Sequence, residues 1–260
     1  MLKGKTALIT GSSIGIGFSV AEKLASLGCN VVMNGIEDAA EITPKVDELA
    51  ATHGIQATYD ACDVGNGEQL DRMIMNAMDT FGGIDITVNN AVTRVFGLIE
   101  DTDPEKWEHG ISVNLNAAFR TTHHTLSGMK QRGWGRIINM SSIYGMIGAV
   151  GRANYVTTKT AMIGLTRATA LEVAKHEITC NAVCPGTVRT SLADEKISEA
   201  MQNDGLSEED AIAKFLDGKQ PSGRFIAAES VSEMVAFLCG PGGRDINGAV
   251  LPIDLAWSAS

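Results

Sequence analysis

Short apolar runs rich in valine and isoleucine alternate along this chain with longer stretches whose apolar positions recur every three or four residues. The runs fall at 6–10, 30–34, 57–60 (leading to Cys62-Asp63-Val64), 84–89, 136–140, 178–183 and 249–253. Most are apolar at successive rather than alternate positions, as a strand must be when both of its faces are covered. Between them, stretches such as 19–27 and 67–80 carry the period of a helix. Strand–helix–strand repetition predicts a doubly wound α/β fold of Rossmann type, a parallel sheet with helices on both faces. No linker, repeat or low-complexity stretch interrupts the rhythm, so residues 1–260 read as a single domain. One segment breaks the pattern: 190–221 is charged and helix-prone. Loops at the carboxyl ends of such strands surround the ligand, so this insert is expected to be a helical substrate lid, with a merely solvated helical hairpin as the alternative.

Composition narrows the partners. A net charge of −10, from 31 acidic and 21 basic residues, argues against nucleic acid or an anionic membrane as the main partner, because both reward a basic face. The five cysteines, Cys29, Cys62, Cys180, Cys184 and Cys239, are odd in number and contain no CxxC pair. They read as reduced, buried thiols in a cytoplasmic protein, not as a zinc site or disulfide framework. The first apolar run is too short for the core of a signal peptide, and no run reaches the ~18 apolar residues of a membrane span. His123 and His124 are neighbours, so on a helix they diverge by about 100°, and no metal site is expected. Trp107 and Trp134 read as packing residues.

The chemistry gathers in a few places. The first run ends in Thr10-Gly11-Ser12-Ser13-Ile14-Gly15-Ile16-Gly17, and a helical pattern follows. Glycines at such a turn let the backbone approach a pyrophosphate, which then faces the outward-pointing amides of a helix N-terminus. The spacing is G-x-x-x-G-x-G, not the general G-x-G-x-x-G fingerprint. Tyr155 and Lys159 are four apart, on one face of a helix. A phenol titrates near ~10. A neighbouring ammonium stabilises the phenolate and lowers that value, so the pair can pass a proton to or from a substrate oxygen. Ser141-Ser142 follows the fifth run and offers a hydroxyl to the reacting oxygen. Asn89-Asn90-Ala91 closes the fourth run, and Asn114 sits in a segment of helical spacing.

In order and approximate spacing, residues 10–17, Asn89-Asn90-Ala91, Asn114, Ser142, Tyr155 with Lys159, and Pro185-Gly186 resemble the short-chain dehydrogenase/reductase family over nearly the whole chain. That resemblance implies an NAD(P)-binding Rossmann fold and hydride transfer on a nicotinamide. It implies Tyr155 as the acid/base, Lys159 as the group that lowers the Tyr155 pKa and binds the nicotinamide ribose, Ser142 as the residue that orients the substrate oxygen, and Asn114 as support for a proton relay through water. It places Gly11, Gly15 and Gly17 at the pyrophosphate, with Ser13, Ile14, Ile16 and Asn34 also along the cofactor. Asp63 and Val64 then flank the adenine, Asn90 the nearby ribose, and Pro185, Gly186 and Val188 the nicotinamide. Two departures stand out. The family's Asn-Asn-Ala-Gly reads Asn89-Asn90-Ala91-Val92, which is expected to shift the backbone or narrow the pocket. Its Val-Asp-Gly-Gly reads Ile253-Asp254-Leu255-Ala256, with a consequence expected in subunit assembly.

NADP-dependent members of that family place Arg or Lys just after the first glycine or after the second strand. Here those places hold Ser12-Ser13 and Asn34-Gly35-Ile36-Glu37-Asp38, with two acids and no base. A carboxylate repels a phosphate and accepts from a ribose hydroxyl, so the expected cofactor is NAD. Within the family the chain is most similar to the bacterial D-3-hydroxybutyrate dehydrogenases, through pieces such as Leu98-Ile99-Glu100-Asp101 and Lys219-Gln220-Pro221-Ser222. Those enzymes hold the substrate carboxylate with Gln, His and Lys at positions that carry Arg94, Tyr144 and Arg152 here, and a lid Gln is replaced by Lys196. Arginine forks match carboxylate or phosphate, so an anionic hydroxy or oxo substrate is expected, near Ser142, Tyr155 and Trp257. The alternatives are arginines paired with local acids, a reductase of neutral or cyclic ketones on the same scaffold, and a protein that binds dinucleotide as a sensor. A homo-oligomer, tetramer or dimer, is expected through the long helices around Asn114 and Tyr155.

Overall fold

The structure, a computed structural model, describes residues 2–259. Seven strands form one sheet: β1 (Thr6–Ile9), β2 (Asn30–Asn34), β3 (Ala57–Asp60), β4 (Ile86–Asn89), β5 (Gly135–Met140), β6 (Ile178–Pro185) and β7 (Val250–Ile253). All pair in parallel, in the order β3-β2-β1-β4-β5-β6-β7. Each apolar run of the sequence is thus a strand, to within two residues at either end. The reason is visible in β1. Ala7 and Ile9 enter the core on one face of the sheet, while Leu8 enters the core on the other, so no position is left for a polar side chain.

The first face is covered by α1 (Gly15–Ser26), α2 (Ala39–His53) and α9 (Ala228–Cys239), through Val20, Leu24, Val46, Leu49, Val231 and Val235. The second is covered by α3 (Gly67–Phe81), α5 (Ala117–Arg132) and α6 (Ala153–Glu172), through Leu70, Met73, Ile74, Met129 and Ala170. The helix ends follow local chemistry. The Asp38 carboxylate accepts from the Ala40 N–H, and Asn66 caps α3 through the N–H groups of Glu68 and Gln69. Gly54 and Gly82 end these helices in the left-handed conformation.

Order along the sheet reverses between β1 and β4, which opens a crevice beyond their carboxyl ends, where ligands of such sheets bind. Two further features frame it. Helix α4 (Pro104–Ile111) runs into α5 through a π-helical turn at Ser112–Asn116, where the sequence predicts ordinary helix. The segment after β6 forms α7 (Ser191–Asp204) and α8 (Glu208–Leu216), the helical insert expected there. No helix among the described residues is long and apolar enough to cross a membrane.

Candidate active site

The glycine turn joins β1 to α1. Gly11 and Gly15 take positive φ, 61° and 59°, which other residues rarely do. A Cβ on Gly17 would collide with the Gly11 carbonyl and the Asn90 amide, so glycine there lets the helix start against the loop. Asn90 holds the loop from the other side, its Nδ2 donating to the Thr10 and Gly11 carbonyls at 3.0 and 2.7 Å. No side chain caps α1, and no acid lies in its first turn. Its leading N–H groups therefore point at the crevice without a partner from a cap, an arrangement that fits a dinucleotide pyrophosphate.

Other predicted cofactor residues lie around this turn. Ile14 is exposed and Ser13 is buried. Ile16 lines the cavity beside the turn. Asn34, at the end of β2, is 1 % exposed; its Oδ1 accepts from the Gly11 N–H at 3.2 Å, and its Nδ2 donates to the Cys62 carbonyl at 2.9 Å. It braces the loop from beneath. Asp63 turns its carboxylate to the Gly65 N–H at 2.8 Å, and Val64 is buried in the second core. Pro185, Gly186 and Val188 border the cavity after β6.

Helix α6 carries Tyr155 and Lys159 on its buried face. This helix has no apolar stripe because the sheet meets it with polar groups. Asn139 donates to the Thr166 hydroxyl at 2.8 Å, and the Ser141 hydroxyl donates to the Lys159 carbonyl at 2.7 Å. The Lys159 ammonium donates to the Met140 carbonyl at 2.6 Å and lies 5.7 Å from the centre of the Tyr155 ring. Burial, reinforced by the positive charge of Arg94, pulls the Lys159 pKa down to about 7. Ser142 opens a short 3-10 turn, where its hydroxyl accepts from the Tyr144 N–H at 3.2 Å. Asn114 lies in the π turn, 1 % exposed. Its Oδ1 accepts from the Thr93 N–H at 2.8 Å, and its Nδ2 donates to the Thr93 carbonyl at 3.0 Å and the Thr158 hydroxyl at 3.3 Å. It ties the loop after β4 to α6.

Ser142, Tyr155 and Lys159 meet at a cavity of about 590 Å³. Arg94, Tyr144, Arg152, Lys196 and Trp257 line the same cavity, so every residue predicted from sequence for the substrate is brought together there. Sequence reasoning missed Lys219, which adds a further cation, and Phe96 and Phe215, which add aromatic wall. No Asp or Glu lines the cavity among the described residues. Arg152 stacks over Phe96 at 4.2 Å, and Arg94 lies 5.9 Å from the Tyr155 ring centre. Neither arginine pairs with an acid among the described residues. Burial and the charge of Arg152 lower the Lys219 pKa. Lys196 differs, being exposed and ion-paired with Glu199 at 2.7 Å. Val92 lines the cavity with its side chain 38 % exposed and without a positive φ, so it narrows the pocket and leaves the backbone unstrained. Among the described residues no cluster of three or more metal-ligating side chains occurs.

The sequence profile of the short chain dehydrogenase family matches residues 5–201. Over 259 residues the chain is 39% identical to the D-beta-hydroxybutyrate dehydrogenase of Cupriavidus necator, covering 100% of both proteins. Among solved structures it is similar to the L-sorbose reductase of Gluconobacter frateurii complexed with NADPH and L-sorbose, with a TM-score of 0.94, 28% identity, and 100% and 98% of the two chains covered. It is also similar to a variant of actinorhodin polyketide ketoreductase with NADPH, with a TM-score of 0.88, 31% identity and 98% of each chain covered. These NADPH complexes overturn the expectation of NAD and favour NADP. A cation that the sequence pattern hid also lies beside the glycine turn. Lys45, on α2, reaches back to donate to the Ser13 carbonyl at 2.9 Å, over the ring of Phe18. Glu37, one of the two acids taken to exclude a phosphate, accepts from the Ile36 N–H at 3.0 Å through its carboxylate and from the Tyr59 hydroxyl at 2.9 Å through its backbone carbonyl. With the parallel sheet, the glycine turn and the profile match in agreement, the chain belongs to the short-chain dehydrogenase family and is an NAD(P)-dependent oxidoreductase acting on a CH–OH/C=O pair.

Proposed function

We propose that this chain reduces a ketone to a secondary alcohol with NADPH. The convergence of the Ser142 hydroxyl, the Tyr155 phenol and the buried Lys159 ammonium on one cavity, beside the uncapped start of α1, carries this reading. When bound, NADPH supplies a hydride to the carbonyl carbon. Ser142 donates a hydrogen bond to the carbonyl oxygen and fixes its position. Tyr155 gives its phenolic proton to that oxygen as charge develops there. Lys159, protonated, stabilises the phenolate that remains. Asn114 keeps the loop after β4 and the Thr158 turn of α6 in register, so that Tyr155 is presented at the cavity. Gly11, Gly15 and Gly17 hold the pyrophosphate, Lys45 with Ser13 holds the adenosine phosphate, and α7 with α8 closes over the substrate.

Two structural relatives are named as reductases of L-sorbose and of a polyketide ketone and were solved with NADPH, which supports reduction of a ketone larger than a four-carbon acid. A cavity of about 590 Å³ accommodates such a molecule. A second reading, interconversion of a 3-hydroxybutyrate-like acid with its ketone, is favoured by one observation: Arg94, Arg152 and Lys219 face the cavity with no carboxylate among its lining residues. Initial rates of NADPH oxidation against neutral cyclic and open-chain ketones and against acetoacetate separate the two. The first reading expects the highest kcat/KM among the neutral ketones, and turnover confined to acetoacetate replaces it with the second. Tyr155→Phe is expected to cut kcat at least ~100-fold while NADPH still binds; a sensor would turn over nothing before or after the change. The self-association expected from sequence belongs to the same proposal. Its contact falls on α5 and α6, where Phe119 and Leu171 are 57 % and 80 % exposed, and light scattering that shows only monomer removes it.

A further inference from the structure

Two non-glycine residues among those described have a positive φ, and they are consecutive: Leu255 at 52° and Ala256 at 69°. Side chains disfavour this region, because Cβ crowds the following carbonyl, and such conformations persist only where their surroundings over-determine them. The surroundings here are one carboxylate. Asp254 follows β7, 8 % exposed. Its Oδ1 accepts from the Ala256 N–H at 3.2 Å, and its Oδ2 accepts from the Ser258 N–H at 2.8 Å and the Ser258 hydroxyl at 2.5 Å. The Asp254 carbonyl closes the turn by accepting from the Trp257 N–H at 3.1 Å. Its base is anchored beside the cavity, where the Gly186 N–H donates to the Ile253 carbonyl at 2.9 Å. The left-handed pair reverses the chain, so that Trp257 comes back over the cavity. Its ring meets Tyr144 edge-on at 5.4 Å, and Tyr144 meets Tyr155 edge-on at 6.2 Å.

We infer that Asp254 is a positioning residue for substrate size: through a strained strap over residues 254–258 it holds Trp257, already expected at the substrate, as a wall of the cavity. The inference deepens the proposed ketone-reductase reading and rests on it only for the substrate arm of its test. Asp254 is not among the residues lining the cavity, and among the described residues its carboxylate bonds only within the turn; it acts through that turn. Removing its carboxylate takes away three of the bonds that hold the left-handed pair and leaves the backbone bond from Trp257, and the strap relaxes away from Tyr144. A ketone with a bulky substituent then loses a packing surface, whereas the acid/base chemistry at Tyr155 is untouched.

The experiment uses the full chain with Trp107→Phe and Trp134→Phe as background, so that Trp257 is the sole tryptophan. Three variants are compared in it: Asp254→Ala, and Ala256→Gly and Ala256→Val at an exposed position outside the cavity. Glycine accepts the left-handed region and a β-branched residue resists it. Expected are a red shift of Trp257 emission in Asp254→Ala and Ala256→Val, and an unchanged spectrum in Ala256→Gly. In steady state the two shifted variants should show KM for a bulky cyclic ketone raised about tenfold, with kcat within twofold and with KM for a small ketone unchanged. Unaltered emission and KM in both Asp254→Ala and Ala256→Val would overturn the strap, as would equal losses on small and bulky ketones. If the parent turns over no ketone at all, the functional reading falls, and the emission shifts still decide the strap.

Discussion

Replacing Lys159 with methionine exchanges a buried ammonium for an apolar chain of similar length, and the structure says what that should do. Burial, with the charge of Arg94 behind it, lowers the Lys159 pKa from 10.5 to about 7. At ~1.36 kcal/mol for each pH unit, roughly 5 kcal/mol of folding free energy stands against the charged form. Methionine removes that cost and also the hydrogen bond to the Met140 carbonyl. Leaving a buried acceptor unpaired costs ~1–3 kcal/mol. The net gain is therefore on the order of 2–4 kcal/mol, which for a chain of this size is a rise in Tm of roughly 5–10 °C.

The sign of the pH dependence follows from linkage. The folded protein releases the Lys159 proton near pH 7 and the unfolded chain near 10.5. Between those values the unfolded state holds more protons, so stability of the parent rises with pH across that window. The burden of the charge is complete below about pH 7 and gone above about 10.5. The variant's advantage should therefore be largest at pH 6 and mostly lost by pH 9.5. Thermal melts of the cofactor-free parent and Lys159→Met at both pH values measure this directly. A stabilisation equal at the two pH values, or a less stable variant at pH 6, would refute the assignment of a buried, strained ammonium. Ketone reduction should meanwhile collapse, since methionine cannot stabilise the Tyr155 phenolate, and a gain in stability with a loss of turnover is the pattern of a functional buried charge.

Lys45→Ala should raise KM for NADPH about tenfold, the worth of one charge-assisted bond, and leave KM for NADH nearly unchanged; a parallel change in both would return Lys45 to a purely structural role. Arg152→Ala should raise KM for acetoacetate about tenfold with little effect on a neutral ketone, and equal shifts would show that Arg152 packs on Phe96 without meeting substrate. Asn114→Leu removes the partners of the Thr93 N–H and carbonyl and of the Thr158 hydroxyl. It should destabilise the fold by roughly 1–3 kcal/mol in urea unfolding, from the part-buried Thr93 N–H and carbonyl left unpaired while the Thr158 hydroxyl keeps its bond to the Tyr155 carbonyl, and lower kcat as the loop after β4 slips; full stability would mean that water replaces the amide.

How much of this could be read from the chain depends on how local the cause is. The strands were legible because both faces of each are covered, and the covering demands successive apolar residues, as Ala7, Leu8 and Ile9 show. The glycine turn and the Tyr155–Lys159 pair were legible because a tight turn and one helical repeat impose fixed short spacings. The π turn at Ser112–Asn116 was not, since a one-residue slip in hydrogen bonding leaves no compositional mark. Lys45 and Lys219 were missed for a different reason. Each reaches its site only after a helix or an insert has packed, and a search confined to the loops nearest the cofactor cannot see a cation 32 residues from the serine it bonds. The C-terminal turn is the opposite of a missing signal. Resemblance places Trp257 at the substrate, but residue preference speaks against a left-handed Leu255 and Ala256, so nothing in the chain announces the turn that brings Trp257 there. Three hydrogen bonds to Asp254 outweigh that preference. Where the backbone defies its residues at the edge of a cavity, the cause lies in the bonds that compel it, and no local spacing along the chain announces them.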